Sequence, residues 1–522
     1  MAVARSGYGW VRVFLLAFVL FAYFMPRWAD WNIDSRFDLS RALVDHRTLS
    51  LGRSNWNTWD KAVYKGKFYS DKAPGTAVLG AVVYAGFAAV RGAPLLGDAI
   101  HDLENNRAWN VAIALGRSGT QKDPPAKGRR LGGCRRAGIS GSVQYIPWGN
   151  RLVPPIRDWA LSKYISTIGG VDLIAALFAG FFFWFLGFFA ISRRLRWLLT
   201  GLYVVGTVAL PYSTVFYSHQ ISAAFLFAGF GLLYLRSKRR LRAWAAPAAG
   251  FLLGFALFTE YTIALLLLPI GLYALWKLRR MPGDIVAVAV AAAIPVAGLL
   301  AYNAAAFSGP LDTGYSHDFC WSAAQAAGYA GFTYPKLKPL FDLTFGTFRG
   351  LFFTSPFLLL AFPGAVVMWR RGYKAEALVC VAGSVLFILA LSAYWGWNGG
   401  RVDGPRYLVP AVPFLAFPAL FFIQRFRRQV WAWILVGVLG AWSLVATWLS
   451  FLGGALFPIS WLRDPLFQYS VPALVGNQIA PNAGFFLGLR GWESLLPLVG
   501  LLVLISLPWG RLTGRPYVAI RP

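Results

Sequence analysis

Only three cysteines, Cys134, Cys320 and Cys380, and four histidines occur in 522 residues. They are scattered without metal-ligand or disulfide spacing, so neither a zinc module nor a disulfide framework is expected, and the cysteines read as ordinary small residues. Charge is sparse as well, at 14% of residues, and acids are the scarcer sign, 21 against 50 basic residues. The longest polar stretch is about 45 to 50 residues, too short for an independent soluble core. No internal repeat is visible. What remains is apolar: 57% of the chain is hydrophobic and mean hydropathy is +0.53. Runs near the length needed to cross ~30 Å of hydrocarbon recur throughout. The fold expected is therefore an all-α polytopic membrane bundle.

The basic excess, +29 at neutral pH, sits in short runs between apolar segments: Arg236 to Arg242, Lys277 to Arg280, Arg370-Arg371 and Arg425 to Arg428. That spacing is the positive-inside pattern of loops facing anionic headgroups, and it argues against a nucleic-acid partner. Val11 to Met25, flanked by Arg5 and Arg12, lacks a small-residue cleavage site and reads as an uncleaved first helix with a cytoplasmic N-terminus.

Apolar length against Lys/Arg flanks predicts spans near 11–25, 76–91, 170–190, 197–213, 219–235, 243–276, 284–304, 351–368, 374–392, 406–423, 430–452 and 493–509. The stretch 243–276 reads as two short passes, and about 11 to 13 crossings are expected in all. Loops 26–75, 305–350, 393–405 and 453–490 then face outward, and the first three hold most of the acids outside the basic linkers. Forward and backward counting disagree by one crossing at Arg193-Arg194-Leu-Arg196. Either 243–276 is a single pass with a re-entrant turn at Glu260, or something crosses between 92 and 165. Residues 105–160, and 117–150 above all, read as a basic, disordered cytoplasmic linker or a frame-shifted segment.

The polar candidates lie in the outward loops. Asn32 to Asp45 reads as an amphipathic helix lying in the interface, with Asp34, Asp38 and Asp45 either capping it or doing chemistry. Asp60-Lys61 and Asp71-Lys72 follow, the second pair just ahead of Pro74-Gly75. A proline-started helix leaves free amides, to which Lys72 adds a full positive charge suited to phosphate. His219 is an isolated histidine at a span boundary, a ligand or acid/base partner if it meets Asp71. Glu260 lies inside a hydrophobic stretch and needs a partner. In Tyr394 to Tyr407, Arg401 and Arg406 offer guanidinium forks for phosphate oxygens beside aromatic rings such as Tyr407. Asn303, Asp312 and Tyr315 are weaker candidates.

Taken in order, Asn32 to Asp45, Asp60-Lys61, Tyr69-Ser-Asp-Lys-Ala-Pro-Gly75, Ser218-His219, Gly254 to Tyr261, Tyr302-Asn303, Gly309-Pro310, Gly314-Tyr315, Arg349-Gly-Leu-Phe352, Ser355-Pro356 and Gly404-Pro-Arg-Tyr407 form a pattern. It resembles the bacterial GT-C glycosyltransferases, more narrowly the polyprenyl-phosphate-dependent, protein-mannosyltransferase-like group. The resemblance leaves out about 105–155. It implies a multi-pass protein of the bacterial cytoplasmic membrane, with its site on the external face and a polyprenyl-phosphate sugar as donor. The acceptor would be a protein, lipid or envelope glycan. It also implies a loop carboxylate as base, with Asp34 and Asp38 nearest the family's acid pair and Asp60 competing. Asp38 is the first choice and Asp60 the second. The Glu-Lys-Pro-Pro motif of aminoarabinose transferases corresponds to Asp71-Lys72-Ala73-Pro74, with Asp for Glu and Ala for Pro. That implies Lys72 at the carrier phosphate and a divalent metal at Asp71, and these are the two roles that the motif carries over; from the residues themselves Arg406 and Arg401 are expected to join Lys72 at the phosphate, and His219 to join Asp71 as a metal ligand. A transporter or lipid-linked-sugar flippase is the alternative.

Overall fold

The computed structural model describes residues 9–25, 31–52, 54, 58–93, 98, 154–189, 191–400, 402–453 and 462–507. The architecture is a helical bundle with one small hairpin. Its first elements are α1 (Gly9–Tyr23), α2 (Trp31–Asp45), β1 (Lys61–Tyr64), β2 (Lys67–Ser70) and α3 (Gly75–Arg91). Then come α4 (Pro154–Thr167), α5 (Leu173–Leu186), α6 (Arg193–Val205), α7 (His219–Ser237), α8 (Ala245–Thr259), α9 (Ala264–Leu278) and α10 (Pro282–Ala306). The last are α11 (Ala361–Arg370), α12 (Gly383–Ser392), α13 (Val412–Arg425), α14 (Val430–Leu452) and α15 (Leu496–Ser506).

Among the described residues, seven helices are long and apolar enough to cross a membrane: Asp158–Phe189, His219–Ser237, Tyr261–Leu278, Pro282–Ala306, Lys374–Ser392, Arg406–Arg425 and Val430–Leu452. Burial sorts them. Arg406–Arg425 is 89% buried and His219–Ser237 78%, so these two form the centre, whereas Pro282–Ala306 is 17% buried and turns its apolar side chains outward, as a lipid-facing helix does. The centre is a lattice of rings, with Phe227 edge-on to Phe414 (5.0 Å) and Phe185 (5.6 Å), and Phe189 against Phe417 (4.9 Å). On the periphery α8 meets α10 through Gly250 and Gly254, where a Cβ would run into the backbone of Val288 and Ala292, a small-residue stripe of the kind that brings membrane helices together.

The expected 243–276 segment is two helices, broken at Glu260, whose backbone is extended (φ −156°, ψ 119°). The basic clusters gather at one end of the bundle. There Arg236 pairs with Asp284 (2.7 Å), Lys277 with Glu376 (2.7 Å), and Arg371 donates to Gln424 (2.6 Å), whose amide reaches the Phe189 carbonyl (3.5 Å). This is the charge asymmetry that the loop composition predicts.

Two expectations for the first loop need correction. Residues 76–91 do not cross to that basic end. In the continuous helix Asp158–Phe189, the Tyr164 hydroxyl donates to the carbonyl of Ala22 at the finish of α1 (2.6 Å), and Phe183 lies against Gly9 at its start. Arg91, the last residue of α3, is paired with Asp158, so α3 ends on the side where α1 ends. Removing that crossing puts Arg193 to Arg196 with the other basic clusters, and the counting conflict disappears. Seventeen mostly apolar residues fit a short span or a helix buried within protein equally well, and hydropathy cannot separate the two. The second correction concerns α2. It does not lie amphipathically in the interface, because Asn32 to Ser40 are all buried, wedged between α3 on one face and α4 on the other. Residues 154–160 of the expected linker are helical, while 101–153 lie outside the described residues. Cys320 is disulfide-bonded and not simply a small residue, and Cys380 is free and buried.

Single cysteines at Arg47 and Asp98, both exposed, are expected to react with a membrane-impermeant maleimide from the same side, and one at Arg239 from the opposite side. Labelling of Asp98→Cys together with Arg239→Cys would restore the crossing at 76–91.

Candidate functional site

The β-hairpin assembles the first half of the site. Its turn residues Lys65 and Gly66 both have positive φ (47° and 74°), the pair required by the tight hairpin turn whose twist matches the strands. Lys61 is registered with Ser70, so the residues just outside the ladder, Asp60 and Asp71, come together at its open end. Lys72 follows and places its ammonium between them, 2.6 Å from Asp71 Oδ2 and 3.0 Å from Asp60 Oδ2. The face of α2 carrying Asn32, Ser35 and Arg36 supports this group. Asn32 donates to Asp60 (3.4 Å), and Ser35 donates to Asp71 Oδ1 (3.4 Å) and shares a hydrogen bond with Ser70 (2.8 Å).

Electrostatics separates the two carboxylates. Burial pushes Asp60 up, but Lys72 first and Arg406 next outweigh it and hold the group below the ordinary carboxylate range. Asp71 is raised, by burial first and by the Asp60 charge, with Lys72 opposing. Burial would lower Lys72, yet Asp60 and Asp71 together lift it well above its usual value. The Asp60 side chain is 16% exposed and that of Asp71 0%, so the carboxylate that is held low is also the accessible one. Paired acids driven apart in this way are the usual basis for dividing acid and base roles.

The second half comes from the helix starts on the same side. Arg406 donates to the hydroxyls of Tyr217 (3.2 Å) and Tyr407 (2.9 Å), and its charge reaches Asp60. Arg349, fully buried, donates to the carbonyls of Asn398 (3.1 Å) and Gly400 (2.9 Å) and so fixes the loop that delivers Arg406. His219 stacks on Tyr217 (5.6 Å) and meets the edge of Tyr407 (5.5 Å). The loop after α10 closes over Lys72: Tyr315 presents its ring 5.2 Å from the ammonium, and a Cβ on Gly314 would stand 2.5 Å from the Asp71 Cα.

No family model, curated protein or solved structure matches this chain. The site must therefore be read from its own geometry.

Asp60, Asp71, Lys72, Arg406 and Tyr407 are brought into one neighbourhood, and Arg401 lies outside the described residues. Asp34 and Asp38 lie on the other face of α2. Asp34 is paired with the buried Lys163 (2.7 Å), and Asp38, 0% exposed, accepts from the Trp159 indole (3.0 Å), so both are engaged by α4. His219 approaches Glu260 (3.6 Å) while Asp71 turns to Lys72 and Ser35. The expected pairing of Asp71 with His219 around a metal does not fit this arrangement, since Lys72 already stands between the carboxylates where a cation would sit. Among the described residues no three His, Cys, Asp or Glu side chains gather for a metal. The break at Glu260 finds its partner in Arg36 (3.5 Å), with Ser218 donating to the same oxygen (2.6 Å). Asp45 pairs with Arg41 (3.2 Å), Asp312 with His317 (2.7 Å), and Asn303 links Tyr261 to the Pro310 carbonyl.

Motif reasoning passed over Arg36 and the hairpin itself. Lys65-Gly66 between Ala62-Val63-Tyr64 and Lys67-Phe68-Tyr69 was the available hairpin signal. Arg36 had no local signal.

Proposed function

We propose that the chain is an integral membrane glycosyltransferase of the GT-C type, moving a sugar from a polyprenyl-phosphate carrier to an acceptor outside the bacterial cytoplasmic membrane. One observation carries the reading: a lysine ammonium held between two inequivalent carboxylates, with an arginine in electrostatic range, buried at the end of an apolar bundle opposite its basic loops. A donor with a lipid tail and a phosphate headgroup matches that placement. Twelve helices would cross, counting the shorter apolar ones and leaving out α3. The site would then be on the external side by the positive-inside rule.

In this reading Lys72 and Arg406 neutralise charge growing on the carrier phosphate as it leaves. Asp60, ionised and reachable, takes the acceptor hydroxyl proton while the acceptor oxygen bonds to the anomeric carbon and the carbon–phosphate-oxygen bond breaks. The anomeric centre inverts. Asp38 and Asp34, engaged by Trp159 and Lys163, support the loop that carries the site.

Incubating the purified protein with a labelled polyprenyl-phosphate sugar and envelope acceptors should release the free carrier phosphate, detected by mass spectrometry. A flippase would move the lipid with that bond intact, so unchanged donor alongside transbilayer movement would overturn the reading. Asp60→Asn is expected to lower transfer at least about 100-fold, the scale of a lost general base, with donor binding retained. Asp38→Asn should lose far less activity per folded molecule, and an equal loss would return the base to α2.

A further inference from the structure

Arg196 is a buried cation without a counter-charge. It lies near the start of α6, at the basic end of the bundle and away from the Lys72 group, and is 9% exposed. Its Nε is sealed from water and donates to nothing, and among the described residues no carboxylate pairs with it. Arg236 and Lys277, at the same end and less buried, each have one, in Asp284 and Glu376. What holds Arg196 in place is aromatic. Its guanidinium carbon stands 4.7 Å from the centre of the Phe183 ring of α5, and a Cβ on Gly187 would come 2.8 Å from its Nη1. A ring face and a missing side chain give a planar cation room but no acceptor.

Its neighbours are positive as well. Arg193, one turn earlier on the same face of α6, lies within electrostatic range, and the first turn contains no acid. The start of a helix adds about half a positive charge of its own. Ser192 caps the amide of Leu195 (3.3 Å), while the amides of Arg193 and Arg194 make no hydrogen bond among the described residues. A Cβ on Gly9 would stand 2.9 Å from the Phe183 ring and 3.6 Å from Arg193 Nη2, so both guanidinium groups gather where α1 begins and α5 ends. Two guanidinium forks, two free amides and a helix dipole of the same sign call for an anion.

We propose that the start of α6 is a binding site for a phosphate group on the cytoplasmic side, with Arg196 and Arg193 as its guanidinium partners and the amides of Arg193 and Arg194 completing it. Phosphate oxygens suit both kinds of donor. The position favours an anionic phospholipid as the bearer, because Trp10, 44% exposed, and Trp197, 5.1 Å from Phe183, stand beside the site as rings do at the headgroup level. The site is separate from the Lys72 group and does not rest on the glycosyl-transfer reading.

Native mass spectrometry of the full chain in detergent, titrated with dioleoyl phosphatidylglycerol, gives the affinity for the first lipid bound. Arg196→Gln should weaken it at least about tenfold, the scale of one lost charge-assisted hydrogen bond, and Arg193→Gln should act in the same direction. Arg280→Gln, an exposed charge in the loop between α9 and α10, should change it less than about twofold, because an exposed charge is screened. Equal losses in Arg196→Gln and Arg280→Gln would make this a property of the basic surface at large and overturn the site, as would unchanged binding in Arg196→Gln. If Arg196→Gln does not fold, Arg193→Gln against Arg280→Gln decides in the same way. Thermal unfolding followed by tryptophan fluorescence, with inorganic phosphate in place of lipid, separates the two sources. Stabilisation by phosphate that needs Arg196 supports the site for any phosphate group, and a dependence confined to phosphatidylglycerol supports it for a lipid headgroup. No dependence on Arg196 with either overturns it.

Discussion

Lys72→Ala is expected to reduce sugar transfer from a polyprenyl-phosphate donor by about 1000-fold, the scale seen when one preorganised charge-stabilising donor is removed. The ammonium has two duties that alanine cannot perform. It neutralises Asp60 and Asp71 at 3.0 and 2.6 Å, and in the proposed reaction it meets the leaving phosphate. Without it Asp71, already raised by burial and by Asp60, takes a proton, so part of the damage is electrostatic and local. The double variant Lys72→Ala/Asp71→Asn separates these duties. Replacing the carboxyl that must otherwise take up a proton should restore thermal stability toward wild type but leave transfer as low as in the single variant. Lys72→Arg should retain binding and lose turnover, because a planar fork cannot copy a point charge between two carboxylates. Transfer assays on detergent-purified protein, normalised to folded material, check all three. Near-normal activity in Lys72→Ala would end the assignment of this cluster as the site.

The sequence exposed parts of this site unequally, for physical reasons. Asp71, Lys72 and Pro74 are neighbours in the chain, so a charged pair before a helix start is visible locally, and the structure confirms the pairing. The contribution of Asp60 depends on a hairpin register, which two four-residue strands signal only weakly. Asp34 and Asp38 share the i, i+4 spacing of Asn32 and Arg36 but lie on the opposite face of α2. With that helix buried on both sides, periodicity cannot say which face meets the hairpin. Arg406 arrives from a remote loop, and only arginine beside aromatic rings gave it away. The bundle was easier, because apolar length and basic loops survive any detail of packing. They failed where α3, apolar enough to cross, is held by Asp158 and α2 instead.

Arg36→Met is expected to destabilise the protein by about 3 to 5 kcal/mol, the cost of leaving one member of a buried ion pair without its partner. Arg36 is 2% exposed and ties four pieces together: Asn32 Oδ1 at 3.0 Å, the carbonyls of Ala73 (3.3 Å) and Thr259 (3.5 Å), and Glu260 at 3.5 Å. Through Asn32 it reaches Asp60, and through Ala73 the turn that carries Lys72, so it joins the helix break at Glu260 to both halves of the Lys72 group. Methionine fills most of the volume but leaves Glu260 with Ser218, Thr262 and a more distant His219 as polar neighbours. Adding Glu260→Gln removes the stranded charge, and Arg36→Met/Glu260→Gln should regain more than half of the lost stability in thermal unfolding monitored by tryptophan fluorescence. Transfer activity should not return with it, because Asn32 no longer has its anchor and Asp60 loses its orientation relative to Lys72. Recovery of stability and activity together would make Arg36 a packing residue alone, and failure to recover stability would mean that the carbonyls of Ala73 and Thr259, and not Glu260, are what Arg36 is needed for.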